Sequence, residues 1–222
     1  RLRSGMPFQY AVGRMTFRHL TLRVDRRVLI PRPETEMLVD LALALTGGTG
    51  TVADIGTGSG AIALALAAEG RYDRIIATDV SREALELARG NLDSLAPNRR
   101  SLIDFREGDL LTAIAGERLR AVVSNPPYIS PAEAGDLPAA VRDWEPPLAL
   151  FSGDDGLAAI RAIVRDAPLV LEPGGMLALE IDTRRAALAR ECAATDTRYR
   201  DVELRLDLTG RERFLVARLK ES

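Results

Sequence analysis

TVADIGTGSGAIALALAA, residues 51–68, changes its composition twice within a short distance. A largely apolar run is followed by Gly56, Gly58 and Gly60, and then by a series of alanine, isoleucine and leucine. This pattern predicts a strand, a tight turn and a helix. Glycine lets the backbone approach a ligand closely, and the start of a helix offers free N–H groups to an anion. The stretch therefore predicts a ligand-binding turn.

The same alternation continues along the chain and predicts the fold class. Strands are predicted within 51–55, 74–79, 101–109, 119–127 and 174–182, and helices within 61–68, 81–95, 156–171 and 183–194. Strands that alternate with helices predict an α/β fold with a mostly parallel sheet and helices on both faces. The last two strand runs, 198–208 and 211–219, are separated by Thr209 and Gly210 alone. They should form an antiparallel hairpin.

The chain before residue 37 has a different pattern. Apolar and polar residues alternate within 14–30, which predicts a short hairpin. Pro31 and Pro33 then hold the backbone extended, and the acidic residues of Glu34-Thr35-Glu36 are typical of a helix start. This helix should end at Gly47-Gly48. We predict a β-hairpin and linker at 1–36 and an α/β domain at 37–222.

Composition narrows the class of protein. The 222 residues include 46% hydrophobic and 28% charged residues, as in an ordinary soluble globule. A net charge of -2 does not favour binding to duplex nucleic acid. One histidine and one cysteine make a metal site of ordinary ligand type improbable and leave no internal disulfide, which fits the reducing cytoplasm. No apolar run approaches the roughly 20 residues that span a bilayer.

Two acidic residues extend the ligand-binding prediction. Asp79 lies 19 residues after Gly60, at the end of the next predicted strand, where a carboxylate can accept hydrogen bonds from ribose hydroxyls. Asp109 follows the third predicted strand and could accept the amine hydrogens of an adenine. A helix-capping acid at Asp79 and a solvated turn at Asp109 are the alternatives. Together these residues predict a cofactor that carries adenosine.

Asn125-Pro126-Pro127-Tyr128 follows the fourth strand of the predicted sheet and should face the same crevice. A planar NH2 group is a poor nucleophile because its nitrogen lone pair is delocalised. The Asn125 side-chain oxygen and the Pro126 carbonyl could hold its two hydrogens, and Tyr128 offers a ring face for stacking. The prolines would fix these acceptors in place. A plain turn is the alternative.

The long segment 129–155 has little periodicity, contains several prolines and includes Trp144. A connection of this length inside a compact domain is usually a functional loop or lid. We therefore expect it to lie near the predicted crevice.

Several of these stretches together resemble one enzyme family. DIGTGSGAIALALA, Asp79 and NPPY resemble the class I S-adenosylmethionine-dependent methyltransferases that modify an NH2 nitrogen. RSGMPFQYAVG (3–13), LIPRPETE (29–36), EPPLAL (145–150) and DLTGRERFLVARL (207–219) closely resemble the HemK/PrmC family. That family methylates the N5 side-chain nitrogen of the glutamine in the Gly-Gly-Gln motif of peptide chain release factors. The resemblance implies a Rossmann-like, seven-stranded sheet. It also implies a helical N-terminal domain, which we expect this chain to lack.

Carried over by position, the resemblance assigns roles to particular residues. S-adenosylmethionine, with S-adenosylhomocysteine as product, would contact Asp54, Gly56, Thr57, Gly58, Ser59, Gly60, Asp79, Asp109, Leu110 and Asn125. The substrate glutamine would be held by Asn125, Pro126, Pro127 and Tyr128, with Asn125 and Pro126 as the catalytic pair. Arg32 and Glu36 would position the segment that covers the cofactor, although a purely structural connection is also open for them.

The sequence also leaves other functions open. The chain could methylate a glutamine of a ribosomal protein or an amino group of a DNA base, or it could be a cofactor-binding scaffold without catalysis. A dehydrogenase is the least favoured, since no residue would orient a hydride acceptor. We expect a cytoplasmic monomer whose partner is a release factor, with neither nucleic acid nor membrane as a partner.

Overall fold

The strands are those that the sequence predicts, and most of them join in one sheet. The computed structural model describes residues 5–221. Its strands are β1 (Arg14–Phe17), β2 (Leu20–Arg23), β3 (Thr51–Ile55), β4 (Arg74–Asp79), β5 (Ile103–Glu107), β6 (Leu119–Ser124), β7 (Leu171–Glu180), β8 (Tyr199–Leu206) and β9 (Glu212–Leu219). Residues 1–4 and 222, which belong to the predicted segments 1–36 and 37–222, lie outside the described residues.

Within residues 5–221 the large sheet has seven strands in the order β5-β4-β3-β6-β7-β9-β8. The pairs from β5 to β7 are parallel, and β9 lies antiparallel between β7 and β8. The predicted fold class and its antiparallel C-terminal hairpin are therefore confirmed. The chain order reverses direction between β3 and β6, and a doubly wound sheet opens a crevice at such a point.

Helices cover both faces of this sheet. The helices of the described residues are α1 (Phe8–Val12), α2 (Pro33–Thr46), α3 (Ala61–Glu69), α4 (Arg82–Asn91), α5 (Pro97–Arg100), α6 (Ala139–Arg142), α7 (Pro147–Leu150), α8 (Ala158–Asp166) and α9 (Ala186–Ala194). Short 3-10 turns lie at Leu92–Ser94, Thr112–Ile114, Pro131–Asp136, Ala167–Leu169 and Thr183–Arg185. No helix in the described part of the chain is long and apolar enough to cross a membrane.

Side chains of successive strand residues enter two separate cores. On β6, Ala121 and Val123 pack with α2 and α3, whereas Val122 packs with α8 and α9. Because the sheet is covered on both faces, its central strands are continuous apolar runs rather than alternating ones. This burial fixes the strand register, since a shift by one residue would exchange the two faces.

Helix α2 begins one residue before the predicted start at Glu34 and ends at the predicted glycine, and α4 has a side-chain cap. Pro33 occupies the first turn of α2, and Gly47 ends that helix with a left-handed φ of 66°. Ser81 caps α4 by accepting a hydrogen bond from the Ala84 N–H. The predicted domain boundary between residues 36 and 37 lies inside α2, which packs on the large sheet. The predicted helix within 156–171 ends earlier, at Asp166, and β7 begins at Leu171.

The N-terminal segment packs onto the side of the domain. The predicted hairpin is present as β1 and β2, which form a sheet of their own, and α1 precedes it. The hydroxyl of Tyr10 in α1 donates to the Val28 carbonyl at 2.5 Å. Tyr10, Val24, Val28 and Ile30 form a small core with Ala84 and Leu87 of α4. This packing holds residues 27–31 over the carboxyl ends of the strands.

Segment 129–155 folds into short helices, and contacts near both of its ends hold it in place. Ile129 pairs with Phe151 in an isolated bridge, and Glu133 forms ion pairs with Arg184 and Arg185. Arg26 also lies 4.7 Å from the ring centroid of Trp144, in a cation–π contact with the N-terminal segment. The segment therefore has a defined position against two distant parts of the chain.

Candidate active site

A cavity of about 400 Å³ lies at the carboxyl ends of the central strands. Its volume is in the range of sites that enclose a small cofactor. Of the residues predicted to bind cofactor or substrate, the lining includes Gly56, Thr57, Gly58, Ser59, Asp79, Asp109, Leu110, Asn125 and Pro127. The fold thus brings together residues from the ends of β3, β4, β5 and β6, as predicted for a doubly wound sheet.

The glycine loop presents bare backbone to this cavity. Gly56, Gly58 and Gly60 all have left-handed φ angles, of 70°, 55° and 83°. A Cβ atom built on Gly56 or Gly58 would meet no atom within 4 Å. On Gly60 it would lie 3.0 Å from a Leu64 methyl group, so Gly60 is required for close packing. The first two glycines therefore leave space on the cavity side, where a ligand can approach the backbone.

Asp54 supports this loop from beneath and does not line the cavity. Its Oδ2 accepts hydrogen bonds from the Thr57 hydroxyl at 2.6 Å and from the Ala63 N–H at 3.0 Å. The side chain is fully buried and its Oδ1 has no partner among the described residues. Burial raises the pKa of Asp54 to about 7. Asp54, predicted as a cofactor contact, shapes the turn that carries the lining residues of the loop.

Asp79 lies between the glycine loop and the start of α4. Its Oδ2 accepts from the Gly58 N–H and its Oδ1 from the Ser81 N–H, both at 2.9 Å. Burial raises the pKa of Asp79, and these backbone hydrogen bonds act in the opposite direction. Each carboxylate oxygen retains a further lone pair, so the group can still accept from ligand hydroxyls.

The loop after β5 completes this side of the cavity. Leu110 has a φ of 46°, an unusual conformation for a residue with a side chain, and its carbonyl accepts from the Thr78 hydroxyl at 3.3 Å. Asp109, directly before it, is exposed at the cavity rim. The left-handed turn at Leu110 has no pattern in the sequence that predicts it.

Asn125 lies half-buried at the end of β6, and its side-chain amide has a defined partner. Its Nδ2 donates to the Thr35 hydroxyl at 3.1 Å, and that hydroxyl donates to Glu180 Oε2 at 2.8 Å. Ser124 pairs with Leu179 in the sheet, so Asn125 and Glu180 occupy the next positions on neighbouring strands. The sequence analysis placed neither Thr35 nor Glu180 in the site.

The remaining residues of the NPPY motif differ in position. Pro127 lines the cavity, whereas Pro126 is buried and Tyr128 packs against the core on the α8 and α9 face. Burial raises the pKa of the Tyr128 phenol, which keeps it neutral. Neither Pro126 nor Tyr128, both predicted to hold the substrate, is among the lining residues.

Two segments cover the cavity and are joined by an ion pair. Residues 27–31 contribute part of the lining, and residues 146–152 contribute another part. Arg32 Nη2 lies 2.5 Å from Oε1 of Glu145, whose side chain is 1% exposed. Arg32 thus joins the two segments of the cover. Glu36 does not: it accepts from the Arg18 N–H at 2.9 Å and holds the turn of the N-terminal hairpin.

Comparison with known proteins shows the family of the chain. The family model described as "Methyltransferase small domain" matches residues 34–139. A release factor glutamine methyltransferase of Moorella thermoacetica is 41% identical over 220 residues, which cover 98% of this chain and 77% of that protein. The chain belongs to the release factor glutamine methyltransferase family.

Solved structures agree with this family and with the fold. A release factor-specific protein-(glutamine-N5) methyltransferase of Alicyclobacillus acidocaldarius is 25% identical, with a TM-score of 0.51 over 87% of this chain and 95% of that one. A methyltransferase from Pyrococcus furiosus has a TM-score of 0.66, covers 100% of this chain and 98% of its own, and is 19% identical. Membership of this release factor glutamine methyltransferase family and the fold both imply the use of S-adenosylmethionine.

Proposed function

We propose that this enzyme transfers a methyl group from S-adenosylmethionine to the side-chain nitrogen N5 of the glutamine in the Gly-Gly-Gln motif of peptide chain release factors. The observation that carries the proposal is the hydrogen bond from Asn125 Nδ2 to Thr35. It turns the Asn125 NH2 group towards α2, so the opposite atom, Oδ1, is left to accept a hydrogen from a substrate amide.

The cavity suits a cofactor with an adenosine and a charged amino-acid part. The Gly56–Gly58 backbone is open to it, Asp79 can accept from its ribose, and Asp109 lies at the rim for its adenine. When bound, S-adenosylmethionine supplies the methyl group: its carbon–sulfur bond breaks as the carbon–nitrogen bond forms, sulfur keeps the electron pair, and one amide proton leaves to water. The protein itself contributes hydrogen-bond acceptors and the shape of the cavity.

An amide nitrogen needs positioning more than it needs a base. Its lone pair is delocalised into the carbonyl, so the reacting nitrogen must be held in line with the methyl group. Asn125 Oδ1 would accept one amide hydrogen. The Pro126 carbonyl, in the peptide bond to the cavity-lining Pro127, would accept the other. The ring of Pro126 fixes the backbone between these two acceptors, and Pro127 restricts the residue before it. Because the cavity cover formed by residues 27–31 and 146–152 restricts water, these acceptors would be stronger than in bulk solvent.

A protein substrate is favoured over a nucleic acid. Relatives at about two-fifths identity, such as the one from Moorella thermoacetica, are named for release factors. The net charge of -2 supplies few phosphate contacts, and such contacts provide most of the affinity for DNA. We infer that the enzyme works as a cytoplasmic monomer on a folded protein loop.

The test is methyl transfer from labelled S-adenosylmethionine to four substrates offered separately. These are a release factor, the same factor with its Gly-Gly-Gln glutamine replaced by alanine, a mixture of ribosomal proteins, and duplex DNA. We expect label on the first alone, and mass spectrometry should place one methyl group on the glutamine side chain. Label on the alanine variant, on ribosomal protein or on DNA in preference to the intact factor would overturn the proposal.

A further inference from the structure

An asparagine side chain can present either of two chemically opposite atoms to a substrate. Its oxygen and its NH2 group sit on the same carbon, so a half-turn about one bond exchanges an acceptor for a donor. At Asn125 the acceptor must face the cavity if the proposed function is correct, and a donor there would oppose an amide hydrogen of the substrate. Some other group must therefore select the orientation.

Thr35 and Glu180 supply that selection. Thr35, which lines the cavity, is 4% exposed and Glu180 is 1% exposed, so both have little contact with solvent. A carboxylate can only accept, so the single hydroxyl hydrogen of Thr35 points to Glu180, 2.8 Å away. The same hydroxyl can then only accept from Asn125, whose Nδ2 is 3.1 Å away.

We propose that Thr35 and Glu180 are positioning residues, which act through one directional chain of hydrogen bonds to keep the Asn125 oxygen facing the substrate amide. The inference rests on the proposed function for its substrate, but the chain of bonds is a property of the protein alone. Asn125 contacts the substrate, whereas Thr35 and Glu180 act through Asn125. The direction of the chain is set at its buried end.

The direction depends on the ionised form of Glu180. A protonated Glu180 could donate to Thr35, and Thr35 could then donate to Asn125, which would reverse the amide. Burial raises the pKa of Glu180 to about 7. The charges of three groups act on the Glu180 carboxyl: Arg213 of β9, and Arg32 and Glu34 at the start of α2. The charge of Glu180 in turn acts on the Tyr128 phenol.

The first experiment compares Thr35→Val with Thr46→Val. Both threonines lie in α2, both are buried, and both hydroxyls are hydrogen-bonded. The Thr46 hydroxyl bonds to the Ala42 carbonyl, the Tyr72 hydroxyl and the Gly48 N–H. Single-turnover methyl transfer at saturating S-adenosylmethionine should slow about tenfold in Thr35→Val, as expected for one lost hydrogen bond. Thr46→Val should keep the parental rate, and Thr35→Ser should recover most of the loss.

The second experiment follows the rate with pH. In the parent enzyme, transfer at saturating cofactor should fall as the pH is lowered through about 7, the value to which burial raises the pKa of Glu180. Glu180→Gln has no carboxylate to titrate, so its rate should be lower at high pH and should lose that inflection. Equal slowing of Thr35→Val and Thr46→Val, a parental rate in Thr35→Val, or an unchanged inflection in Glu180→Gln would overturn the proposal.

A third measurement needs no substrate and therefore separates this inference from the proposed function. In the nuclear magnetic resonance spectrum, the Asn125 side-chain NH2 should show slow hydrogen exchange in the parent and fast exchange in Thr35→Val. Failure of the parent to methylate a release factor, with this exchange difference present, would reject the substrate and support the positioning chain. Equally fast exchange in both proteins would reject the proposed chain of hydrogen bonds.

Discussion

The neighbouring strands β3 and β6 end in loops that are held in different ways. After β3, the carboxylate of Asp54 accepts from Thr57 and Ala63, which lie three and nine residues further along the chain. After β6, the amide of Asn125 donates to Thr35, which is 90 residues away, and Thr35 in turn donates to Glu180, 145 residues from it. The carboxylate after β3 therefore makes its bonds within its own loop and helix, whereas the amide after β6 is held by distant elements.

This difference separates two tasks of the enzyme. The glycine loop is supported by Asp54 beneath it and by Asp79 at the end of the neighbouring strand β4, which accepts from the Gly58 N–H. The orientation of Asn125 is set only when α2 and β7 have both packed beside β6. Binding of cofactor should therefore depend on the first region, and the rate of methyl transfer on the second. Substitutions in each region can test this division.

The largest effect should follow from Asn125→Ala. The substitution removes one preorganised hydrogen-bond acceptor, and such a loss typically lowers kcat by about 10²–10³. Cofactor affinity should change little, because the glycine loop and Asp79 remain in place. Single-turnover methyl transfer to a release factor, with calorimetric titration of S-adenosylmethionine, measures both quantities.

Asn98→Ala serves as the matched control for that substitution. Asn98 is exposed in the short helix α5 and is not among the cavity-lining residues, so its variant should match the parent in rate and affinity. If Asn125→Ala folds and transfers methyl groups at close to the parental rate, the NPPY motif is a turn and the second region has no catalytic task.

A smaller effect, on binding rather than rate, is expected for Asp79→Ala. The variant loses the acceptor for the ribose and also releases the Gly58 and Ser81 N–H groups that Asp79 holds. We expect a loss of about 1.5–3 kcal/mol in the free energy of cofactor binding, with the rate at saturating cofactor largely kept. Asp73→Ala, an exposed position just before the opposite end of β4, is the control. Unchanged affinity in Asp79→Ala would remove the ribose contact from the first region.

The smallest effect concerns the pH dependence of stability and comes from Asp54. Its pKa rises from 3.8 to about 7 on folding, so the folded chain binds an extra proton between these values. The contribution of Asp54 to the free energy of unfolding therefore falls as the pH rises through this window, by up to about 1.4 kcal/mol per unit. Asp54→Asn should lack this contribution.

Denaturant unfolding of the parent and of Asp54→Asn between about pH 5 and about pH 6 measures that difference. The variant should gain stability relative to the parent as the pH rises. Glu180 titrates in both proteins, so its contribution cancels. A difference that stays constant with pH would show that Asp54 is ionised in the folded protein and that the glycine loop rests on a charged group.

Most of the fold could be predicted because its determinants are local. The apolar runs of β3, β4 and β6, the capping residue Ser81 and the glycine that ends α2 all act within a few residues of their own position. Helix α1 and the short helices of segment 129–155 were not predicted. Their four or five residues carry too little periodicity, and packing against other segments stabilises them.

In the candidate site, the sequence indicates which residues lie nearby but not where their side chains point. Asp54, Tyr128 and Glu36 stand within or beside motifs whose other members line the cavity, yet each side chain points to a structural partner. Position in a motif indicates that a residue is near a site. It does not indicate which way the side chain faces, because the neighbours that decide this come from other elements.

By itself, the sequence determined the order of strands and helices, the glycine turn and the presence of an amide between a strand and two prolines. Each depends on backbone preferences and on apolar periodicity, which are properties of neighbouring residues. The tertiary structure alone decided that Thr35 and Glu180 meet Asn125, since residues 35, 125 and 180 are joined by no local pattern. A hydrogen bond has direction and short range, so its partners are known only when the chain has brought them together.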